Sequence, residues 1–406
     1  MSVRYAAFRD INIKDYDVLV VGAGFAGSVV ARQMADRGEK KVLIIEKRPH
    51  IAGNMYDEMN EDGILVHKYG PHIFHTKEKR AFTYLRFFSG FTSYQHRVLA
   101  NINGELMPVP FNKRSLEQAF GKDRAAELTE KLIDAFGDER NVTITDLRAQ
   151  DDPDLQEVAD YVYNNVFLQY TLKQWGQTPD EVDPSVVARV PIRISTDDRY
   201  FQDDWQGMPL LGYTKLFENM LDEPNITVCL NTDAESVFDL VFESGAEDAQ
   251  LSEIRVKDVP FTGPIIYTGP LDELFLTRFG RLPYRSLRFE VETLDQEHFQ
   301  PCGTVNYTTS EDFTRITEFK WMNPTRSKKT TIMREYPCAY EDRFTQIPYY
   351  AIINDENMAH YQRYLHLTES LPNFYPLGRL AEYRYYNMDT IISRALDLAA
   401  TLLEEN

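Results

Sequence analysis

The stretch that decides the fold runs from residue 17 to residue 54 and reads DVLVVGAGFAGSVVARQMADRGEKKVLIIEKRPHIAGN. Its first five residues are an apolar run that ends in glycines, which is typical of a buried parallel strand. From Ser28 onward the apolar residues have helical spacing, and Gly38 ends that helix. Residues 41–46 read KVLIIE and are predicted to be the second strand. We therefore predict one βαβ unit of about thirty residues.

Residues 22–27 form a complete GxGxxG motif directly after the first strand. Gly22 allows the tight turn, Gly24 lets the backbone approach a pyrophosphate, and Gly27 lets the helix pack closely on the strand. Free N–H groups at the helix start, including those of Phe25 and Ala26, favour phosphate charge. Because strand, glycines and helix are in register, the motif predicts a bound dinucleotide.

The acid that ends the second strand, and the turn after it, narrow the choice of dinucleotide. Glu46 follows Gly27 by nineteen residues and is placed to accept hydrogen bonds from ribose hydroxyls. Lys47 follows Glu46, and a second glycine turn lies at Gly53 and Asn54. This order resembles the (E/D)(K/R)…GG motif of large flavoproteins. The sequence has no second GxGxxG for a separate nicotinamide domain. We therefore predict FAD rather than NAD.

Composition sets limits on the partners and the compartment. The net charge of −19 makes nucleic acid or an anionic membrane a poor partner, because phosphate binding depends on clustered Lys and Arg. The three cysteines are far apart and form no CxxC pair or zinc spacing, which indicates a reducing cytoplasm. Residues 1–15 lack the apolar core of a signal peptide, and no apolar run approaches the ~20 residues of a membrane span. We expect a soluble cytoplasmic protein.

The 406 residues predict two or three lobes in an α/β protein. Residues 115–136 and 154–175 have helical periodicity, whereas residues 227–230, 264–268, 287–292, 303–307 and 331–334 are β-type runs that suggest an antiparallel sheet. A last strand at 374–377 precedes a helix at 389–403, with Asp389 as its N-cap. We predict a discontinuous Rossmann-like FAD-binding domain (1–90 and 371–406), a mainly helical substrate lobe (91–190), and an antiparallel sheet domain interleaved with the FAD domain (191–370).

Several separated blocks resemble the bacterial UDP-galactopyranose mutases in family order along nearly the whole chain. The most specific are YTLKQWG at 170–176, YTGP at 267–270 and LPYRSL at 282–287. Further blocks are HKYGPHIFHT at 67–76, RVPIR at 189–193, DDRYF at 197–201, QGMP at 206–209, FTRITE at 313–318, MREY at 333–336, PYY at 348–350, GR at 378–379 and YYNM at 385–388. The glycine motif is generic, but this combination is typical of that family.

The resemblance implies an isomerase, an intramolecular transferase that interconverts UDP-galactopyranose and UDP-galactofuranose for cell-surface polysaccharides. In this family N5 of reduced FAD attacks the anomeric carbon, UDP leaves, and the cycle involves no net redox change. The resemblance also implies NAD(P)H as reductant, a homodimer, and a mobile loop near residues 175–189.

The resemblance assigns roles to individual residues of the substrate site. Arg189 and Arg315 match the guanidinium donors that stabilise the leaving diphosphate. Four tyrosines match hydroxyls that hold the phosphates: Tyr170, Tyr200, Tyr350 and Tyr385. Phe167 and Trp175 match the part of the lobe that carries uridine, and Thr171 and Asn306 match polar substrate contacts.

The resemblance also implies further residues beside the flavin. His72 matches the histidine whose loop lies beside the isoalloxazine N5, so that its backbone carbonyl can accept the N5 proton. Arg379, Asn387 and Met388 match a second cradle, where a helix N-terminus would stabilise the negative charge of reduced flavin. Three histidines lie between residues 67 and 75, but their spacing is not that of a zinc site, and we predict no metal.

Departures from the family pattern leave the identity of the substrate's sugar undecided. They are Phe313 in place of Tyr, Asn387 in place of Asp, Pro71 in place of a small residue, Ala52 in place of Gly, Val166 in place of an aromatic residue, and His96 at a sugar-side position. Galactose, its N-acetyl form or a related pyranose all stay possible. The alternatives from other classes are an FAD oxidoreductase of the amine-oxidase or phytoene-desaturase type and a flavin-binding or UDP-sugar-binding module without turnover.

Overall fold

The computed structural model describes residues 2–181, 190–244 and 249–404. Its helices are α1 (Phe25–Gly38), α2 (Lys79–Arg86), α3 (Lys113–Phe120), α4 (Lys122–Phe136), α5 (Ile144–Arg148), α6 (Pro153–Val162), α7 (Gln169–Trp175), α8 (Tyr213–Leu221), α9 (Ala234–Val237), α10 (Leu271–Leu274), α11 (Asp355–His366) and α12 (Met388–Glu404). Its strands are β1 (Val18–Val21), β2 (Val42–Ile45), β3 (Asp57–Met59), β4 (Leu65–His67), β5 (Phe74–Thr76), β6 (Val98–Ile102), β7 (Glu105–Val109), β8 (Asn141–Val142), β9 (Ile192–Arg193), β10 (Trp205–Gly207), β11 (Ile226–Cys229), β12 (Phe238–Phe242), β13 (Leu251–Val256), β14 (Val259–Pro260), β15 (Ile265–Tyr267), β16 (Tyr284–Leu294), β17 (Thr304–Tyr307), β18 (Arg315–Glu318), β19 (Thr330–Ala339), β20 (Tyr350–Ala351) and β21 (Phe374–Pro376).

A five-stranded parallel sheet in the order β11-β2-β1-β15-β21 contains the glycine motif. All residues of β1 and β2 are buried, because helices and loops cover both faces of the sheet. Helix α1 packs on α12, so the two ends of the chain form one unit. The predicted Rossmann-like fold built from both ends of the chain is confirmed.

Two strands of this sheet correct an expectation from the sequence. The runs at 227–230 and 264–268 were expected in an antiparallel sheet, and this was wrong, because β11 pairs with β2 and β15 pairs with β1 in parallel. A short, continuously apolar run shows that a strand is buried but carries no information on the direction of its neighbour. This correction matters for the site, since ligands bind beyond the carboxyl ends of parallel strands.

A second, seven-stranded sheet has the order β20-β16-β19-β18-β17-β6-β7. Its neighbours are antiparallel except for β17 and β6, which run parallel. The antiparallel expectation for residues 287–292, 303–307 and 331–334 is confirmed. Strands β6 and β7 come from the part of the chain expected to form the mainly helical lobe, and they join that lobe to this sheet.

Helices α3 to α7 form the helical lobe around their own core of apolar side chains. The predicted helical stretch 115–136 is divided at Gly121, whose φ of 76° ends α3 before α4 begins. Between α6 and α7, Tyr163–Leu168 is a π-helical turn, and Gly176 ends α7 in the left-handed conformation. Residues 182–189, which include the predicted Arg189, lie outside the described residues.

The last helix begins one residue earlier than expected, so the prediction of Asp389 as its N-cap is wrong. The carbonyl of Asn387 accepts the hydrogen bond from Ile391 N at 3.1 Å, which places Asn387 at the cap. The Asp389 carboxylate instead accepts from Thr76 Oγ1 at 2.7 Å, across to β5. This contact holds the start of α12 against the β5 segment.

Within the described residues, no helix combines the length and the apolar character that a membrane crossing requires.

Candidate active site

The first cavity lies at the carboxyl ends of the parallel strands, along the glycine motif and the turn at 52–55. At one end Glu46 is buried, and its carboxylate accepts from Ala23 N at 2.8 Å and from Arg48 N at 2.9 Å. These bonds fix the acid at the end of β2, where it lines the cavity and can still accept further hydrogen bonds. The cavity then extends past the start of α1 to Arg379 and Met388.

The glycines of the motif serve different purposes in the structure. A Cβ on Gly22 would lie 2.1 Å from Thr268 Oγ1, and a Cβ on Gly27 would lie 2.0 Å from Gly22 O, so packing requires both. Gly24 has an ordinary φ of −84°, and a Cβ there would meet its nearest atom only at 3.9 Å, at Gly53 Cα. Since neither backbone nor packing requires this glycine, close approach of a ligand explains it. The loop therefore fits a pyrophosphate at the N-terminus of α1.

The structure places almost all predicted cofactor residues on this cavity. The residues that line it are Gly22, Gly24, Phe25, Ala26, Glu46, Lys47, Gly53, Asn54, His72, Arg379, Asn387 and Met388. Gly27 lies beneath the loop and packs α1 against β1 instead.

Sequence reasoning missed the polar residues that follow β11 and β15 at the Glu46 end of the cavity. They are Thr232, Asp233, Glu235, Thr268 and Glu273. The signal that could have found them is their position just after parallel strands, where ligand-contacting loops gather. Because both strands were expected in an antiparallel sheet, no ligand-contacting loops were predicted after them.

A second cavity lies between the helical lobe and the seven-stranded sheet. All eight predicted substrate-binding residues line it, together with Arg315 and His72: Phe167, Tyr170, Thr171, Trp175, Tyr200, Asn306, Tyr350 and Tyr385. Positions spread over more than 200 residues of sequence are thus brought to one cleft. Their roles toward a ligand stay predictions.

Arg315 on β18 is the cationic centre of the second cavity. Its Nη2 donates to the hydroxyl of Tyr170, and its Nε lies 3.5 Å from Oε1 of Glu335 on the neighbouring strand. Burial alone would lower the pKa of Arg315, but the carboxylate of Glu335 and the tyrosine hydroxyls raise it above the ordinary arginine value. The guanidinium therefore stays charged and can bind an anion with its other N–H groups.

The tyrosines around Arg315 supply neutral donors. Burial raises the pKa of Tyr170 to about 12, and burial also raises the pKa of Tyr350 above its ordinary value. The Tyr350 ring stacks at 6.1 Å on that of Tyr385 and packs at 5.3 Å against Trp175. The cavity can therefore bind phosphate oxygens through hydroxyl groups that carry no charge of their own.

The two cavities meet at a shared wall made of His72, Arg379, Asn387 and Met388. Burial, with His67 and Arg379 nearby, lowers the pKa of His72 to about 3, so this imidazole is neutral. Its Nδ1 is 2.9 Å from Gly70 O, and its backbone N donates to His67 Nδ1 at 3.2 Å. A planar group bound in the first cavity would have one end at this wall, in contact with a ligand in the second cavity.

Several residues of the second cavity were not among the predicted site residues. His75 pairs with Asp203 at 2.5 Å and stacks on Phe201, and Gln174 and Thr304 also line the cleft. His96, noted in the sequence as a departure, lies here as well, and burial lowers its pKa to about 3. Thr304 could have been found, because it precedes Asn306 by two residues on one strand and so shares its face. The described residues contain no group of three or more His, Cys, Asp or Glu side chains placed to hold a metal ion.

Comparison with known proteins agrees with this geometry. A family model described as "UDP-galactopyranose mutase" matches residues 165–385, and a model of an NAD(P)-binding Rossmann-like domain matches residues 20–88. A crystal structure of reduced UDP-galactopyranose mutase has the same fold, with a TM-score of 0.64 at 15% identity over 96% of this chain and 94% of that chain.

Two curated relatives match nearly end to end. A probable UDP-galactopyranose mutase of Klebsiella pneumoniae is 36% identical over 390 residues, which are 95% of this chain and 94% of the relative. A dTDP-fucopyranose mutase of Escherichia coli is 33% identical over 394 residues, 96% of this chain and 99% of the relative. By its family-model match and by these near-complete relatives, the chain belongs to the UDP-galactopyranose mutase family.

Proposed function

We propose that this protein is a flavin-dependent isomerase that interconverts UDP-galactopyranose and UDP-galactofuranose without net redox change. The observation that carries the proposal is the shared wall of His72, Arg379, Asn387 and Met388, where the two cavities meet. A dinucleotide in the first cavity and a sugar nucleotide in the second can meet at that wall. Membership of the family supports the substrate class.

FAD is the cofactor that the first cavity fits best. The open approach to Gly24 suits a pyrophosphate, and the buried Glu46 suits the ribose of the adenosine half. When bound and reduced, FAD would supply a nucleophilic nitrogen, N5, for the anomeric carbon of the sugar. The backbone of the His72 loop and the start of α12 would orient the flavin ring. Because His72 is neutral, it would add no charge at the reacting carbon.

Departure of UDP from the sugar leaves negative charge on a diphosphate. Arg315 would bind that charge, with Tyr170, Tyr350 and Tyr385 around it as neutral donors. Neutral donors bind the phosphate oxygens without adding positive charge that would retain the product. Arg189 is proposed as the second guanidinium on the strength of the family motif alone.

The nucleoside half of the substrate is proposed to bind at the helical-lobe end of the cavity. Phe167 and Trp175 line the cleft there, on the π-helical turn and on α7. Stacking of a base on an aromatic ring contributes roughly 1–3 kcal/mol. The lobe would thereby hold the nucleotide while the sugar extends toward His72.

A second candidate is a related nucleotide-sugar mutase. The similarity to a dTDP-fucopyranose mutase over 96% of this chain supports it, since that relative's name gives a different base and a different sugar. UDP-N-acetylgalactosamine is a third sugar nucleotide to test. An oxidoreductase of the amine-oxidase type would share the first cavity but would have no use for Arg315 and its tyrosines.

The remaining expectations from the sequence belong to this proposal too. They are NAD(P)H as the reductant that prepares the flavin, a homodimer, and a cytoplasmic location in the synthesis of cell-surface polysaccharide. Resemblance to the family supports the first two. The unpaired cysteines Cys229, Cys302 and Cys338 support a reducing compartment.

The test is to incubate the FAD-loaded, dithionite-reduced protein with UDP-galactofuranose and to separate the sugar nucleotides by chromatography. We expect UDP-galactopyranose to form, with no reductant consumed in proportion to product. dTDP-fucofuranose and the furanose form of UDP-N-acetylgalactosamine, tested in parallel, measure the preference. Reduced protein that binds FAD but converts none of the three would overturn the proposal.

A further inference from the structure

The floor of the second cavity is a polar face of the seven-stranded sheet. In the antiparallel pair β17 and β18, Thr304 lies opposite Thr317 and Asn306 lies opposite Arg315. Because side chains alternate along a strand and directly paired residues share a face, these four side chains project from the same face of the sheet.

Each of these four side chains has a buried polar atom without a hydrogen-bond partner in the described part of the chain. The atoms are Thr304 Oγ1, Thr317 Oγ1, Asn306 Oδ1 and Arg315 Nε. Folding rarely leaves buried hydroxyl and amide groups unpaired, since each loses its hydrogen bonds to water and gains none. Arg315 Nε faces the Glu335 carboxylate at 3.5 Å, whereas Thr304 and Asn306 line the cavity, so their unpaired oxygens suit a ligand bound there.

The four residues differ in their access to the cavity. Asn306 and Arg315 line it and already have proposed roles, whereas Thr317 is not among the lining residues. Thr304 lines the cavity and has no role assigned so far. It is also 2% exposed, so its hydroxyl is shielded from bulk water.

The side chains nearest to Thr304 along β17 and β6 are uncharged and indicate which part of a substrate it faces. Its partner on β6 is Val98, and His96, two residues before Val98, also lines the cavity. The Nδ1 of His96 is 2.9 Å from the Tyr94 hydroxyl, and burial keeps this imidazole neutral. Arg315 lies diagonally across from Thr304 on the neighbouring strand, opposite Asn306, and is the cation available to phosphate oxygens. Thr304 itself offers only a neutral hydroxyl, which can donate to and accept from a neutral sugar hydroxyl.

We propose that Thr304 is a specificity-determining residue whose hydroxyl exchanges a hydrogen bond with one hydroxyl of the bound sugar. The inference rests on the proposed function, because it assumes that a sugar nucleotide occupies the second cavity. A site that pairs its own buried hydroxyl with one on the substrate rejects an analogue that lacks that group. Thr304 would in this way select the hydroxyl pattern of the pyranose.

The experiment measures equilibrium binding of UDP, UDP-galactose and its 2-, 3-, 4- and 6-deoxy analogues to the reduced, FAD-loaded protein. The variant Thr304→Val removes the hydroxyl at nearly constant volume, and Thr304→Ser retains it. Thr317→Val removes the equivalent unpartnered hydroxyl away from the cavity and is the matched control.

We expect Thr304→Val to bind UDP-galactose roughly fivefold more weakly than the original protein, and UDP equally well. For the one deoxy analogue that lacks the hydroxyl bound by Thr304, Thr304→Val and the original protein should bind equally well. Thr304→Ser should bind UDP-galactose like the original protein. Thr317→Val should bind every ligand like the original protein. Equal binding of the whole series by Thr304→Val and the original protein would overturn the inference and leave the proposed function intact. An original protein that binds UDP but no UDP-sugar would overturn both.

Discussion

Nε of Arg315 lies 3.5 Å from Oε1 of Glu335, and neither atom has a hydrogen-bond partner within the described residues. The two residues are cross-strand neighbours on β18 and β19, and Glu335 is almost completely buried. Burial raises the pKa of Glu335, while the Arg315 charge acts in the opposite direction. The guanidinium is thus partly balanced by an acid beneath it before any anion binds. We expect this arrangement to set how strongly the cavity binds the proposed diphosphate.

Removing the acid should strengthen anion binding. In Glu335→Gln the Arg315 guanidinium has no carboxylate beside it, so we expect UDP to bind roughly tenfold more tightly. A change of this size is what the removal of one nearby negative charge at a partly buried site produces. Calorimetric titration with UDP measures the change. Glu290→Gln removes the acid of an exposed pair with Arg288 and should leave UDP affinity unchanged. Weaker or unaltered UDP binding to Glu335→Gln would contradict the balanced-charge account.

Removing the guanidinium should have the larger effect on turnover. Arg315→Ala should reduce the rate at least ~100-fold, because a preorganised donor toward developing charge is lost. Arg315→Lys keeps the positive charge but lacks the paired N–H donors of the guanidinium, so it should recover only part of the rate. Initial rates with reduced protein, alongside the flavin absorbance of each variant, separate loss of catalysis from loss of cofactor. Near-original rates for Arg315→Ala would refute the role. Arg189→Ala should reduce turnover to a similar extent.

The glycine motif offers a matched pair of substitutions. Gly24→Ala places its Cβ in open space 3.9 Å from the nearest atom, so the apoprotein should melt as before but bind FAD much more weakly. Gly27→Ala places its Cβ 2.0 Å from Gly22 O and should cost roughly 1–3 kcal/mol of stability through overpacking. Melting curves of both apoproteins and FAD titrations test this. Normal FAD affinity in a folded Gly24→Ala variant would be evidence against a pyrophosphate at this loop.

The neutral histidines predict how stability depends on pH. The folded pKa values of His72 and His96 are about 3, below the ordinary 6.5, so the unfolded chain binds protons that the folded protein does not. The contribution of each histidine to the free energy of unfolding is therefore complete above pH 6.5 and is lost as the pH falls toward 3. At pH 5 the loss is about 2 kcal/mol for each histidine.

Urea unfolding of the protein at pH 7.5, 6.5 and 5 measures this decline. His96→Gln should show a shallower decline than the original protein. A parallel decline in His96→Gln and the original protein would count against a buried neutral His96.

The parts of the fold that the sequence predicted are those with local patterns. The βαβ unit and the C-terminal strand could be identified because glycines, apolar runs and helical spacing act within a few residues. The directions of β11 and β15 could not, since a run such as 227–230 looks the same in a parallel or an antiparallel sheet. The N-cap at Asn387 was missed because Asn and Asp are about equally favoured at N-caps, so residue type could not separate Asn387 from Asp389. In the structure the Asp389 carboxylate accepts from Thr76 instead.

The site shows the same division. Arg315 and the four tyrosines could be selected only through family motifs, because the elements that carry them meet in space and not in sequence. Glu335 was not predicted at all, since its importance comes from the register of β18 and β19. Thr304 could have been predicted, because alternate residues of a strand share a face and Thr304 lies two residues before Asn306.

The central claim is that the flavin acts through a nucleophilic N5 and not as a redox carrier. Its most direct test is to load the apoprotein with either FAD or 5-deaza-FAD, which has carbon in place of N5 but still accepts and donates two electrons. With both flavins bound and reduced, we measure the conversion of UDP-galactofuranose. The account predicts product with FAD and none with 5-deaza-FAD; equal conversion with the two would contradict it.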